Sequence, residues 1–247
     1  MRLFMEVSVL GKYGPYPTPE GATSGYLLKT SGGLFALDMG SGVFSRLSGI
    51  CPPEKLNAVF ISHFHFDHVA DLGILNYYLE ALARKGLFNA KMPVYIPKVD
   101  CPAADEIKEM KYFDVRTVED GDTVTLNGAK FTFFLTAHPV YCLGVAVVSR
   151  KEKFVYSADG DLSKNLEENL KGSTLAVLDG AFLSKNYAEG KPHMSVYLCG
   201  ALSEKFGVKT VVSHLIPTNP TYAAIKELSE FPSAYLAEEG KTYFSVK

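Results

Sequence analysis

The run His63-Phe64-His65-Phe66-Asp67-His68 packs three imidazoles and a carboxylate into six consecutive positions. Neutral imidazole nitrogen and carboxylate oxygen form the donor set of zinc and other divalent first-row metals. On an extended segment His63 and His65 point the same way, so both can bind one metal. Asp67 and His68, one turn further on, reach a second metal beside it. One isolated histidine would read as an ordinary polar turn. This density of ligand-type residues reads as part of a metal site, and it obliges the fold to bring the remaining ligands from elsewhere in the chain.

The flanks place the run on a strand-to-helix turn. Residues 56–62 are β-branched and aromatic enough for a buried strand. Beyond the run, Leu72, Leu75, Tyr78, Leu79 and Leu82 recur at three- and four-residue spacing, as on an amphipathic helix ending near Gly86. Upstream, residues 1–10 look like a first strand, 11–21 form a Gly/Pro-dense loop, and 25–29 with 33–38 read as a hairpin. That hairpin ends in Asp38-Met39-Gly40-Ser41-Gly42, a suitable edge for a site. Short strands are expected at 94–96, 112–118, 122–126, 130–136, 144–149 and 153–157, with a helix at 103–110 and a tight turn at Asn127-Gly128. The remainder alternates: helices at 162–170, 196–206 and 222–231, strands at 174–178, 210–213 and 242–246. The pattern implies a single α/β domain over residues 1–247.

Composition narrows the function classes. At 47% hydrophobic and 21% charged, the chain can bury a core. A formal net charge of −2 with scattered lysines and arginines argues against a dedicated binder of long nucleic acid. Cys51, Cys101, Cys142 and Cys199 lie far apart, without a C-x-x-C pair, which argues against a zinc ribbon or a disulfide scaffold and points to reduced thiols. No apolar run reaches membrane-spanning length, and the first ten residues lack the marks of a signal peptide; cytosol is the expected compartment.

His138 follows a predicted strand, His193 precedes a predicted helix, and His214 follows another strand. Strand ends on one side of an α/β fold are where distant residues converge. Two neighbouring cations also need a bridging anion, for which Asp159 fits best and Asp161 competes.

Together these motifs resemble the metallo-β-lactamase superfamily, in the branch around ribonuclease Z and its phosphodiesterase relatives. Asp38-Met39-Gly40-Ser41-Gly42 resembles the family's first Asp-Gly turn, and His63-x-His65-x-Asp67-His68 its defining motif. The resemblance implies an αββα sandwich with the metals at one edge between the sheets. It implies that His63, His65 and His138 hold one divalent ion, that Asp67, His68 and His214 hold the other, and that Asp159 bridges them. Zinc suits the set first, with manganese and iron(II) as alternatives. Asp67 would orient the hydrolytic water or take its proton, and His193 would protonate the leaving oxygen or bind the phosphate. Asp179 is a candidate to orient a histidine.

Ribonuclease Z enzymes carry a protruding tRNA arm between the third histidine and the bridging aspartate, whereas here 20 residues separate His138 from Asp159. A small-molecule or short phosphodiester substrate is therefore expected, rather than tRNA. Lys185 and Lys191 flank the His193 loop and are candidates to contact a phosphate; Tyr13, Tyr16 and Tyr141 are candidates to line the mouth. A lactone or thioester hydrolase of the same fold is the alternative, and a non-catalytic metal-binding protein a more distant one. The branch also implies a homodimer.

Overall fold

In the computed structural model, residues 5–245 are described; residues 1–4 of the expected first strand, with Val246 and Lys247, lie outside them. Tight turns decide which strands run antiparallel. The first sheet starts from β1 (Glu6–Gly11), β2 (Gly25–Thr30) and β3 (Gly33–Leu37), joined antiparallel, and continues through β4 (Ala58–Phe60), β5 (Met92–Pro97) and β6 (Phe113–Val118), each parallel to its predecessor. Helices make these parallel crossovers: α1 (Val43–Ile50) precedes β4, and α2 (Phe66–Val69) and α3 (Leu72–Arg84) precede β5. A further helix, α4 (Pro102–Lys108), precedes β6.

The second sheet begins with an antiparallel meander of β7 (Thr123–Leu126), β8 (Ala129–Leu135), β9 (Leu143–Ser149) and β10 (Glu152–Tyr156). Asn127 and Gly128 turn β7 into β8 with φ of 48° and 78°, the double left-handed geometry of a two-residue hairpin. After α5 (Lys164–Leu170), strands β11 (Leu175–Asp179), β12 (Lys209–Ser213) and β13 (Ala234–Leu236) add in parallel, with α6 (Val196–Phe206) and α7 (Thr221–Leu228) as crossovers. Last, β14 (Thr242–Phe244) returns to pair with β1, giving two seven-stranded mixed sheets.

Period-two burial explains the layering. The inward faces meet in one core that includes Tyr26, Phe35, Phe60, Phe131 and Tyr156; the Phe60 and Phe131 rings stack with centroids 4.5 Å apart. The outer face of the first sheet packs under α1, α3 and α4 through residues such as Leu47, Leu75 and Ile107. That of the second packs under α5, α6 and α7 through Leu166, Leu202 and Leu228. The layer order is thus the αββα sandwich. Among the described residues, no helix is long and apolar enough to cross a membrane.

Several boundaries move for identifiable reasons. The strand expected at 56–62 is regular only over Ala58–Phe60; the Ile61 N–H still donates to the Tyr95 carbonyl, and the next N–H, that of Ser62, goes to the Asp38 carboxylate. The helix expected at 162–170 begins at Lys164, where the Ser163 hydroxyl caps the Leu166 N–H at 3.1 Å. The helix expected at 222–231 spans Thr221–Leu228 and closes on a tighter turn, where the Ser229 N–H donates to the Lys226 carbonyl. Helix α1 and strand β13 have no counterpart in the sequence reading.

Close backbone approach fixes two glycines near the site. A Cβ on Gly14 would overlap the His214 imidazole, and one on Gly40 would overlap the Asp67 carbonyl oxygen. Gly73, by contrast, lies in α3 with open space around its would-be Cβ. Gly14→Ala is expected to destabilise the fold by about 1–3 kcal/mol, whereas Gly73→Ala should stabilise it by up to about 1 kcal/mol. Denaturant titration checks both, and an unchanged midpoint for Gly14→Ala contradicts the close approach.

Candidate metal centre

Most of the candidate metal ligands and buttressing acids sit at, or a few residues beyond, the C-terminal end of a strand, on one edge of the sandwich. Asp38 ends β3, His63 follows β4, His138 follows β8, Asp159 follows β10, Asp179 ends β11 and His214 follows β12. The six-residue run leaves β4 extended through His65, then makes the single helical turn α2 that carries Asp67 and His68.

Three groups of donor atoms result, each close enough to hold a metal ion. One is His63, His65, His138 and Asp159; another is Asp67, His68 and His214; the third is Asp159, Asp179, His193 and His214. In the first, His63 Nε2 lies 2.8 Å from His65 Nδ1, and His65 Nδ1 lies 3.5 Å from His138 Nε2. In the second, His214 Nε2 is 3.2 Å and His68 Nε2 3.5 Å from Asp67 Oδ2. Asp159 faces both: Oδ2 lies 3.8 Å from His63 Nε2 and 3.1 Å from His214 Nε2, while Oδ1 lies 3.3 Å from His68 Nε2. The competing acid, Asp161, is in none of the three groups.

A divalent cation fits this donor set. His68 is fully buried, yet its Nε2 has no hydrogen-bond partner. A buried unpaired nitrogen is costly, and metal ligation satisfies it. The charges agree. Burial disfavours the His68 and His214 imidazoliums, but Asp159, with Asp38 at His68 and Asp179 at His214, outweighs it; His68 is held well above the usual histidine range and His214 is pushed up to about 10. The carboxylates thus draw positive charge into the cluster. His63 and His138, where burial dominates, are lowered and stay neutral, the form that binds metal.

Buttressing residues hold the rings in place. Asp38, with no exposed surface, accepts from the Ser62 N–H at 2.7 Å, the Ser62 hydroxyl at 2.8 Å and the Tyr156 hydroxyl at 2.6 Å, and lies 2.7 Å from His68 Nδ1. The sequence marked Asp38 as the end of a strand at a site, but its hold on His68 was not legible there, nor was the part of Ser62 and Tyr156. Asp179 accepts from the Gly160 and Ala181 N–H groups at 3.0 and 3.1 Å and lies 2.7 Å from His193 Nδ1. Asp38, Ala158 and His214 adopt left-handed backbone with φ of 58°, 53° and 56°. For non-glycine residues such conformations are strained and persist where surrounding contacts over-determine them.

Other candidates are placed differently. Lys185 and Lys191 are exposed on the loop before His193, and the Lys191 ammonium sits 5.8 Å from the centroid of Phe182. Tyr13 packs against the outer core of the second sheet and Tyr141 against the inner core, where its hydroxyl accepts from the Asp120 N–H; Tyr16 is exposed. All four cysteines are free thiols.

A family model described as the β-lactamase superfamily domain matches residues 42–214, from the start of α1 through His214. The chain is 28% identical over 212 residues to a probable metallo-hydrolase, YhfI of Bacillus subtilis, covering 85% of this chain and 87% of that protein. The crystal structure of YhfI superposes with a TM-score of 0.91 at 26% identity, covering 98% and 99% of the two chains. At 18% identity, likeness in fold extends to the human short-form tRNase Z, with a TM-score of 0.76 over 98% of this chain and 100% of that one. It extends equally to a diphosphatase of the PhnP family, with a TM-score of 0.76 over 97% and 96%. The chain belongs to the metallo-β-lactamase superfamily, as a metallo-hydrolase fold with YhfI, ribonuclease Z-like and PhnP-like neighbours.

Proposed function

We propose that the chain is a binuclear metal-dependent phosphodiesterase acting on a small or short phosphodiester. His63, His65 and His138 would hold one ion and Asp67, His68 and His214 the other, with Asp159 facing both sets; zinc suits these donors first. Two divalent ions held there would supply Lewis acidity, acidifying an attacking water and polarising the phosphoryl group. Asp67 accepts a proton or orients the water. Burial alone would raise its pKa, but His214 and His68 outweigh it and keep the carboxylate ionised.

His193 carries the choice of phosphodiester. Its Nδ1 is occupied by Asp179 at 2.7 Å, which leaves Nε2 for a substrate, and its ring stacks on His214 with centroids 5.0 Å apart. Burial disfavours its charged form, but Asp179 outweighs it and raises the pKa, which favours the protonated form that can give a proton to a leaving alkoxide. A carboxylate already bonded to two backbone N–H groups and to His193 suits this orienting role better than metal ligation, which sets the third donor group aside.

Substrate size follows from the segment between His138 and Asp159. It folds as the plain hairpin of β9 and β10, with no protruding element to carry tRNA. The lactone or thioester reading has one feature in its favour: Phe66, between two proposed ligands, is 85% exposed and offers an apolar edge. The free thiols favour a reducing compartment such as the cytosol.

In metal-loaded protein, His193→Ala is expected to lower kcat by about 10²–10⁴-fold on a cyclic nucleotide, whose leaving group is an alkoxide. The loss should be smaller on bis(p-nitrophenyl) phosphate, whose leaving group needs no proton. Turnover of lactones or thioesters by wild type, with both phosphodiesters untouched, contradicts the reading. A second prediction concerns metal uptake. His214, raised to about 10, is protonated in the metal-free protein at neutral pH and must lose that proton to ligate. Zinc affinity should therefore rise, and proton release per ion fall, as pH increases from about 6 toward about 10. Calorimetry in buffers of different ionisation enthalpy measures both; pH-independent affinity contradicts the assignment of His214.

A further inference from the structure

We propose that Asp161 and Tyr187 form a latch that holds the His193 loop against the strand ends of the metal centre. The proposal rests on the reading of His193 as proton donor. Asp161 is buried, and among the described residues no lysine or arginine pairs with its carboxylate. Its oxygens are committed elsewhere: Oδ1 accepts from the Leu162 N–H and the Tyr187 hydroxyl, both at 2.8 Å, and Oδ2 accepts from the Gly190 N–H at 3.0 Å. Its own N–H donates to the Ala137 carbonyl at 3.0 Å, next to His138. One residue thus ties together the turn after Asp159, the segment before His138 and the middle of the loop.

The loop is closed at its base, where the Phe182 N–H donates to Met194 and the Val196 N–H donates to Phe182. Between base and latch lie Lys185 and Lys191, both exposed, while the Pro192 carbonyl is 3.2 Å from His138 Nδ1. Without Asp161 the middle of this loop has only local bonds, such as Lys191 N–H to Ala188. A proton donor acts only within hydrogen-bond reach, and a misplacement of about 1 Å can cost on the order of 100-fold in rate. Asp161 and Tyr187 are therefore positioning residues: their hydrogen bonds go to backbone groups and to each other, and they set where His193 and the two lysines stand.

The test compares Tyr187→Phe and Asp161→Asn with wild type in the metal-loaded enzyme. Each variant loses a charge-assisted hydrogen bond; in Asp161→Asn an amide replaces the carboxylate oxygen that the Gly190 N–H needs as acceptor. Trypsin should cut after Lys185 about tenfold faster in both, Lys191 being shielded by Pro192. Metal content should stay at the wild-type value. kcat on a cyclic nucleotide should fall about tenfold, with less change on bis(p-nitrophenyl) phosphate, a leaving-group dependence that general loosening would not produce. Unchanged proteolysis in Tyr187→Phe overturns the latch whatever the substrate, and it remains decisive if Asp161→Asn fails to fold. Faster proteolysis with equal losses on both substrates overturns the positioning role. If wild type hydrolyses neither phosphodiester, the functional reading fails, and the proteolysis still decides the latch.

Discussion

The Asp159 carboxylate is almost fully buried and looks onto four imidazoles, at 3.1 Å from His214, 3.3 Å from His68, 3.8 Å from His63 and 4.0 Å from His193. An anion removed from water must be compensated by positive charge or by donors. Here burial works against the carboxylate, and His214 and His68 outweigh it, keeping its pKa well below the usual range. The strand ends β4, β8, β10 and β12 must all arrive at one edge for this to happen. The two-sheet architecture supplies that convergence, and the proposed ions supply the remaining charge.

Two further buried acids make the arrangement rigid. Asp38 fixes His68 from the first sheet and is itself held by Ser62 and by Tyr156 of the second, so one carboxylate crosses the interface between the sheets. Asp179 does the same for His193 and lies 3.6 Å from His214 Nδ1. Orientation of this kind fixes which nitrogen faces the centre. The left-handed backbone at Asp38, Ala158 and His214 marks the same places as costly to form and held by their surroundings.

What the sequence made legible is what is local. The dense run at 63–68 and the hairpins of β2–β3 and β7–β8 depend on neighbouring residues, and the structure places them as the patterns imply. His138, Asp159 and His214 were legible through their order and strand-end positions, and the fold brings them together with the run. Helix α1 was not, because its end is stabilised from a distance: the Phe44 N–H is taken by the Asp71 carboxylate at 2.9 Å, and no local side chain caps it. Strand β13 is three residues long and leaves no period to read. The same limit hid Asp38's partners, since Tyr156 lies 118 positions away in the chain. Asp161 stood as a rival to Asp159 by spacing alone; only the three-dimensional path of the 187–190 segment separates their parts.

A carboxylate that faces both sets of imidazoles makes Asp159 the proposed link between two ions. Elemental analysis of the purified protein, dialysed against zinc and then against metal-free buffer, measures it most directly when wild type is set beside Asp159→Asn. Wild type is expected to hold about two ions per chain and the variant markedly fewer. One ion or fewer in wild type, or the same content in both proteins, would contradict it.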